Sequence, residues 1–389
     1  MTPFDFRPRT RILFGPGEFA RLGEVARELG GTHCLLVADP GMVEAGYAKE
    51  ATRALRARRM EVFAFHDFDA EPTAAMIDAA RVFAEPLGVN LIVGLGGGSS
   101  LDCAKAINFV LSNGGLIRDY WGYGKATRPL LPMIGIPTTA GTGSEAQSGA
   151  LILDPDTRVK MACGDPKAAF RAVILDPKLT LSQPAALSAA SGYDAISHAV
   201  ESLVSTRRTP VSECFSREAW RLLNANYERM LRAPEDLDAR GAMLLGAHFA
   251  GLAVENSTLA AAQACAAPLT AHYNIRRGAA MALLLAPVVA WNIASAALPP
   301  AASGYDGRED GARPCDAAVQ YRDLYAGDLI KRLRELAHSA DLPVLLREVP
   351  VPEEALPRLA EEAGSQWAGR FNPRPFNAAA ALEIYKSAY

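Results

Sequence analysis

Three sets of residues in this chain have types and spacings that can do chemistry. The first is GLGGGSSLD, Gly94–Asp102, which follows an apolar run and opens a helix-like segment. Glycines let a backbone turn tightly and approach a ligand without Cβ clashes. A helix start presents unpaired N–H groups and the positive dipole end, which suits a pyrophosphate. Gly96, Gly97, Gly98 and Ser99 are the contacts this pattern assigns. The second is PTTAGTGSE, Pro137–Glu145, small and hydroxylated enough to line a cofactor groove and donate hydrogen bonds. With it goes Asp39, which ends the apolar run THCLLVAD. A carboxylate there accepts from an adenosine ribose 2′-OH and repels a 2′-phosphate. The third is Asp194 and His198, whose i, i+4 spacing puts both on one helix face. Each set also has a plain structural reading: a strand-to-helix turn, a surface loop, an Asp-Pro cap, a helix-surface hydrogen bond.

The elements that must carry these residues change character along the chain. Thr32–Asp39, Met60–Phe65, Val89–Leu95 and Leu131–Pro137 read as strands. Lys49–Arg59, Pro72–Phe83 and Leu101–Leu111 read as the helices between them. This βαβ rhythm predicts a mainly parallel sheet covered on both faces. After about Leu181 alanine-rich amphipathic stretches take over: Gly192–Val204, Ser212–Arg232, Pro234–Ala253, Leu259–His272 and Gly278–Ala297. They predict a helical bundle. Leu298–Pro314, rich in Pro, Gly and Ala, reads as a surface loop. The expected division is residues 1–182, a Rossmann-like dinucleotide-binding α/β domain, and 183–389, an all-helical domain.

Composition bounds the function. Half of the 389 residues are hydrophobic, and 40 basic against 43 acidic residues give a net charge of -3. Such a chain can bury a large core, and no basic surplus points to nucleic acid or an anionic membrane. No apolar run of about 18 residues escapes polar interruption, so no membrane span is expected. Six scattered cysteines without CxxC spacing read as buried thiols in a reducing, cytoplasmic setting. MTPFDFRPRTRILFG has no apolar core, so no signal peptide is expected.

Several motifs now converge. FGPGE (Phe14–Glu18), GLGGGSSLDCAKAI, PTTAGTGSE, ILDPKLTLSQP (Ile174–Pro184), GYDAISHAVES (Gly192–Ser202) and NPRPF (Asn372–Phe376) stand in one order. In these the chain resembles the iron-containing (group III) alcohol dehydrogenase family. The resemblance implies hydride transfer between NAD(P) and an alcohol or carbonyl compound, with Fe²⁺ or Zn²⁺ in an interdomain cleft. Homodimers or higher homo-oligomers are implied too. It assigns Gly96–Ser99 to the pyrophosphate, and Thr138, Thr139, Thr142 and Lys160 to the nicotinamide side. Asp39 matches the position associated with NAD(H) rather than NADP(H).

The family's metal site is half missing. The resemblance implies one Asp and three His as ligands. Asp194 and His198 match the first two, but the other positions hold Gln263 and Arg277, and a further polar position holds Ala267. His272 stands in the same frame at a position the family does not use. Gln offers only a neutral amide oxygen, and Arg cannot ligate. A guanidinium also repels a divalent ion, by about 4 kcal/mol per unit charge at about 4 Å. The reading is therefore a metal-free oxidoreductase in which Arg277 stands in for the metal cation. Gln263 is a second donor, His198 a proton relay and Asp194 the partner of Arg277, acting on a small carbonyl or alcohol that is anionic or strongly polar. The alternatives are a member that binds dinucleotide without turnover, and a non-redox or transient-redox reaction on the same fold. His248 reads as a packed core histidine, Asp102 and Lys105 as an i, i+3 pair near the cofactor, and Tyr120 and Trp121 as mouth or packing aromatics.

Overall fold

Apolar runs of strand length, punctuated by glycine and proline, set the architecture of the N-terminal unit. The computed structural model describes residues 4–68, 72–156, 159–294 and 317–389. Its strands are β1 (Arg11–Phe14), β2 (His33–Ala38), β3 (Glu61–Phe65), β4 (Leu91–Gly96), β5 (Gly122–Tyr123), β6 (Met133–Pro137), β7 (Gly149–Leu153), β8 (Lys160–Gly164) and β9 (Ala172–Leu175). Six form one sheet in the order β1-β9-β6-β4-β2-β3, every pairing parallel. Strands β4, β6 and β9 are buried along their whole length, as is β2 after His33. Continuous burial is what a sheet covered on both faces requires. The expected strands are β2, β3, β4 and β6. The sheet gains β1 and β9, four residues each, too short to announce themselves by periodicity. A small sheet, β5-β8-β7, is added by the β7–β8 antiparallel pair.

The order of the large sheet contains a reversal. The chain goes from β2 outward to β3, then crosses back to β4 on the other side of β2. Ligands in open α/β sheets bind beyond the carboxyl ends of the strands at such a reversal. The register decides what stands there. Ala38 pairs with Leu95, and Gly96 with Pro137. Asp39, Gly97 and Thr138 therefore leave three adjacent strands at nearly one level.

The Gly98–Asn113 helix packs against β4 and carries a buried charge. Lys105 is fully buried. Its Nζ donates to Ser144 O at 2.7 Å, Ser144 Oγ at 2.8 Å and Gly149 O at 2.6 Å, and lies 3.4 Å from Asp102 Oδ1. Asp102 accepts from Ser144 Oγ at 2.5 Å and from the Leu151 N–H at 3.0 Å. The i, i+3 pair is thus real, and it serves as a clamp between this helix and the loop after β6.

Helices build the other unit: Ala185–Val204, Pro210–Arg232, Ala261–Tyr273, Arg277–Ala294, Ala317–Leu324, Leu329–His338, Leu356–Ser365 and Ala378–Ala388. Starts follow local chemistry. Thr209 and Ser212 form a reciprocal capping box with Pro210 in the first turn. Buried tyrosines tie helices to backbone carbonyls: Tyr193 to Leu333 O, Tyr227 to Ala189 O and Tyr385 to Cys265 O. Arg277–Ala294 is long and apolar enough to cross a bilayer, contrary to the expectation that no segment would be. Two thirds of it (67%) is buried among the other helices, so it is a core helix. This unit comprises Pro184–Pro234 and Phe249–Tyr389, and the other Arg7–Gln183 with Glu235–His248. Cys34, Cys103, Cys163 and Cys265 are buried free thiols, whereas Cys214 is exposed. The segment Leu298–Pro314 lies outside the described residues.

Replacing Lys105 with Met leaves the half-buried Asp102 without its cation and removes the donor to Ser144 O and Gly149 O. Breaking such a pair costs about 3–5 kcal/mol, and urea unfolding of the Lys105→Met protein is expected to show a loss of that order. A loss within error of zero would show that the clamp does not hold the loop.

Candidate active site

The N-terminal unit brings one group of candidate residues together by register. Gly96 sits at φ +142°, a conformation only glycine adopts easily. A Cβ there would stand 2.3 Å from Ser100 Oγ and 2.5 Å from Asp39 Oδ2. A Cβ on Gly98 would stand 2.6 Å from the Thr142 side chain, and one on Gly97 would touch Thr139 at 3.4 Å. The glycine run, Asp39, Thr139 and Thr142 are therefore neighbours, and Thr138 is joined to them by its N–H bond to Gly96 O. The Gly98–Asn113 helix begins with Gly97 as its N-cap and has no side-chain cap. An uncapped helix start flanked by glycines fits the pyrophosphate of a dinucleotide. Asp39 does cap the short Pro40–Glu44 helix through Oδ1 and the Met42 N–H, and it also takes a bond from Ser100 Oγ on Oδ2.

In the helical unit, a separate group of candidate residues lies on one face of the Ala185–Val204 helix. Asp194, His198 and Glu201 follow at i, i+4 and i+7, all buried. Arg277 Nε and Nη2 both bond Asp194 Oδ2, at 3.0 and 2.5 Å. Gly278 makes this possible. A Cβ at Gly278 would stand 1.8 Å from Ala190 O, so only glycine lets the start of the Arg277–Ala294 helix reach that level of its neighbour. Asn274, at φ +54°, ends the preceding helix and reverses the chain. Glu201 was not singled out from sequence, although its helical spacing from Asp194 marks it. Its carboxylate accepts from the Ala262 and Gln263 N–H groups and so fixes the start of the helix that carries Gln263.

The electrostatics differ between these groups. Burial pushes the His198 imidazole down to about 4, against the pull of Asp194 and with the push of Arg277. His198 is therefore neutral at physiological pH. Its Nε2 stands 3.7 Å from Asp194 Oδ1, beyond a hydrogen bond. Asp194 Oδ1, both His198 nitrogens and Gln263 Oε1 are buried with no hydrogen-bond partner among the described residues. Burial raises Glu201 to about 7, against three backbone N–H groups that hold it down, with Asp194 adding to the rise.

Several singled-out residues lie elsewhere. Lys160 opens β8, exposed and opposite Leu153, four residues along the strand from Gly164. His272 bonds Glu362 Oε2 at 2.6 Å beside Arg358, so it is a surface partner and does not join Asp194 and His198. His248 Nδ1 stands 3.2 Å from Glu145 Oε1, both buried, which makes it a packed histidine. Tyr120 is buried with its hydroxyl on Gly114 O, and Trp121 is exposed. Asn256 caps the end of its helix at Leu252 O.

The donor chemistry does not fit the metal of the resembled family. Two imidazoles are replaced, and a guanidinium occupies Asp194 Oδ2. Among the described residues no group of three or more His, Cys, Asp or Glu side chains can hold a metal ion.

An uncapped glycine turn at a sheet reversal, with a helical unit bearing a buried polar face, defines the class of dinucleotide-binding oxidoreductases. The family model "Iron-containing alcohol dehydrogenase" matches residues 8–177, and "Fe-containing alcohol dehydrogenase family, C-terminal" matches residues 188–389. The chain belongs to the iron-containing alcohol dehydrogenase family. It is 31% identical to the NAD-dependent methanol dehydrogenase of Bacillus methanolicus over 100% of both chains. It is 30% identical to the 1,3-propanediol dehydrogenase of Citrobacter freundii over 99% of both. The solved structure of a 1,3-propanediol oxidoreductase superimposes with a TM-score of 0.88 at 30% identity, covering 100% of both chains.

Two predictions follow from the helical half. Gly278→Ala forces the two helices apart and is expected to lower stability by about 3 kcal/mol, read by urea unfolding. Glu201 gives a pH dependence. Its folded pKa, about 7, lies above the ordinary 4.5, so its contribution to stability is present below pH 4.5 and lost as pH rises through 7. The loss between pH 4.5 and 8 is on the order of 3 kcal/mol. Glu201→Gln is expected to flatten that part of the profile; an unchanged slope would remove Glu201 as its source.

Proposed function

We propose that this protein is an NAD(H)-dependent oxidoreductase that interconverts a small alcohol and its aldehyde or ketone without a bound metal. The single observation that carries the reading is the Arg277–Asp194 pair. A permanent cation is fixed on Asp194 where the family has a metal ligand, and its side chain keeps 27% exposure, so a small ligand can reach it. The name of the Bacillus methanolicus relative supports NAD as the cofactor.

Bound NAD(H) supplies or accepts the hydride. The Gly96–Ser99 turn holds the pyrophosphate with backbone N–H groups, and Asp39 receives the adenosine ribose. Thr138, Thr139 and Thr142 line the same groove, and Lys160 is kept as a nicotinamide-side residue on the resemblance alone. Arg277 donates to the substrate oxygen and stabilises the negative charge that develops there, the role a metal has elsewhere. Asp194 fixes the fork in orientation and offsets its charge. His198 is too weak a base to store a proton at neutral pH, but a neutral imidazole takes a proton on one nitrogen while releasing one from the other. Gln263 supplies an amide to the same face. An exposed cation suits a substrate with an anionic or strongly polar group. A homo-oligomer is supported by β1, an edge strand that exposes Ile12 and Phe14.

Arg277→Ala is expected to lower kcat for carbonyl reduction with NADH by about 10²–10³-fold, with Arg277→Lys in between. Activity of the wild type is expected to survive exhaustive chelation. Full activity of Arg277→Ala, or chelator inactivation reversed by Fe²⁺ or Zn²⁺, would falsify the proposal.

A further inference from the structure

We infer that Ser100 sets the dinucleotide preference of this site by holding Asp39. The inference rests on reading the Gly96–Ser99 turn as a dinucleotide site and deepens it. Ser100 lies in the first turn of the Gly98–Asn113 helix and is fully buried. Its Oγ donates to Asp39 Oδ2 at 2.7 Å across 61 positions of sequence. The Met42 N–H donates to the other oxygen, Oδ1, at 3.2 Å. One donor thus stands on each oxygen, and the carboxylate is pinned at both ends.

The pair stands directly against the glycine turn. The hypothetical Cβ of Gly96 would collide with both partners, at 2.3 Å from Ser100 Oγ and 2.5 Å from Asp39 Oδ2. No side chain fits between the turn and the Ser100–Asp39 contact. Ser100 therefore links the two parts that a dinucleotide must contact together: the helix start that receives pyrophosphate and the acid that receives ribose.

An acid at the end of this strand discriminates in two ways. It accepts from a ribose 2′-OH, and it repels a 2′-phosphate. Acceptance falls steeply as distance and angle leave their optimum, and repulsion falls as the oxygens turn away. Each carboxylate oxygen retains a second acceptor direction beside the one its internal donor uses. The discrimination therefore depends on where the oxygens are held as well as on their charge. Met42 alone leaves the group free to rotate about its own bond to the chain. Ser100 removes that freedom. It is a positioning residue that acts through Asp39 and need not touch the dinucleotide.

The test is fluorescence titration of the full chain with NADH and with NADPH, comparing wild type, Ser100→Ala, Asp39→Ala and the double variant. The wild type is expected to bind NADH more tightly. Ser100→Ala is expected to shrink the ratio of the two dissociation constants by about tenfold, the scale of one hydrogen bond to a charged group. Ser100→Ala made in the Asp39→Ala background should change the ratio no further, since the effect runs through the carboxylate. Ser100→Cys, close in volume and a weaker donor, should give an intermediate ratio and covers a poorly folding alanine variant. Equal weakening of both dinucleotides with the ratio intact would mean a structural role and overturn the inference. An additive effect in the Asp39→Ala background would overturn it as well. Tight wild-type binding with no preference would leave the dinucleotide reading standing and overturn only the role of Ser100. Binding of neither dinucleotide would overturn both.

Discussion

The carboxylate of Asp194 is buried on a core helix, and a buried charge needs a partner. Arg277 is that partner, and much of the helical unit is arranged so that it can be. Arg277 is the first residue of its helix. A cation there faces the positive end of the helix dipole, an unfavourable placement by about 0.3–1 kcal/mol. The bond to Asp194 outweighs that. The approach depends on Gly278, which lets one helix start against the Ala190 carbonyl of the other. Asn274 provides the reversal that brings the chain there, and Tyr193 and Tyr227 fix the helix that receives it. A single ion pair thus sets demands on a glycine, a left-handed asparagine and two buried hydroxyls. The charge of Arg277 then helps keep His198 neutral, so the pair shapes the chemistry of its neighbour too.

The dinucleotide half is organised by a different constraint, the parallel register. Three strand ends at one level leave room only for residues that turn at once. Gly96 turns because it lacks a Cβ, and Asp39 turns into a helix that it caps itself. The cap and the cofactor roles of Asp39 are compatible. Capping uses one oxygen and Ser100 the other, and each oxygen accepts more than one bond. The plain reading of this residue, a helix cap, holds, and it leaves acceptor capacity on both oxygens.

Legibility in sequence followed the range of the interactions. Strands β2, β4 and β6 were readable because full burial writes continuous apolar runs. Strands β1 and β9 were not, since four residues carry no period, and their pairing joins positions far apart in the chain. Asp194 and His198 were readable from i, i+4 spacing, and Arg277 from the motif frame around it. The bond from Ser100 to Asp39 was invisible because nothing local links the two. Glu201 was overlooked although its spacing was regular: its role is to cap another helix, and the cap lies sixty-one residues away at Ala262. The i, i+3 relation of Asp102 and Lys105 was legible, but not the Ser144 and Gly149 anchors that make the pair a clamp.

Buried and half-buried carboxylates in this protein differ in how their oxygens are used. Asp102 has donors on both oxygens, from Ser144 and Leu151. Asp176 takes Lys178 N–H on one oxygen and Gly17 and Phe19 N–H on the other. Asp165 takes Lys167 N–H and Ala126 N–H, and Glu201 is held by a helix start. In each of these groups both carboxylate oxygens already serve the fold. At Asp194, Oδ2 is taken by Arg277, while Oδ1 has no hydrogen-bond partner among the described residues, a condition that both His198 nitrogens and Gln263 Oε1 share. Native proteins rarely leave buried polar atoms unsatisfied without a reason, and catalytic duty is one such reason. Atoms in this condition also occur at Asp78, Arg81 and Ser188, and four of them fall on just three residues, Asp194, His198 and Gln263. The other carboxylates hold helices and loops in place. The helical unit thus carries a buried polar face on which the Arg277 guanidinium bonds Asp194 beside a neutral His198.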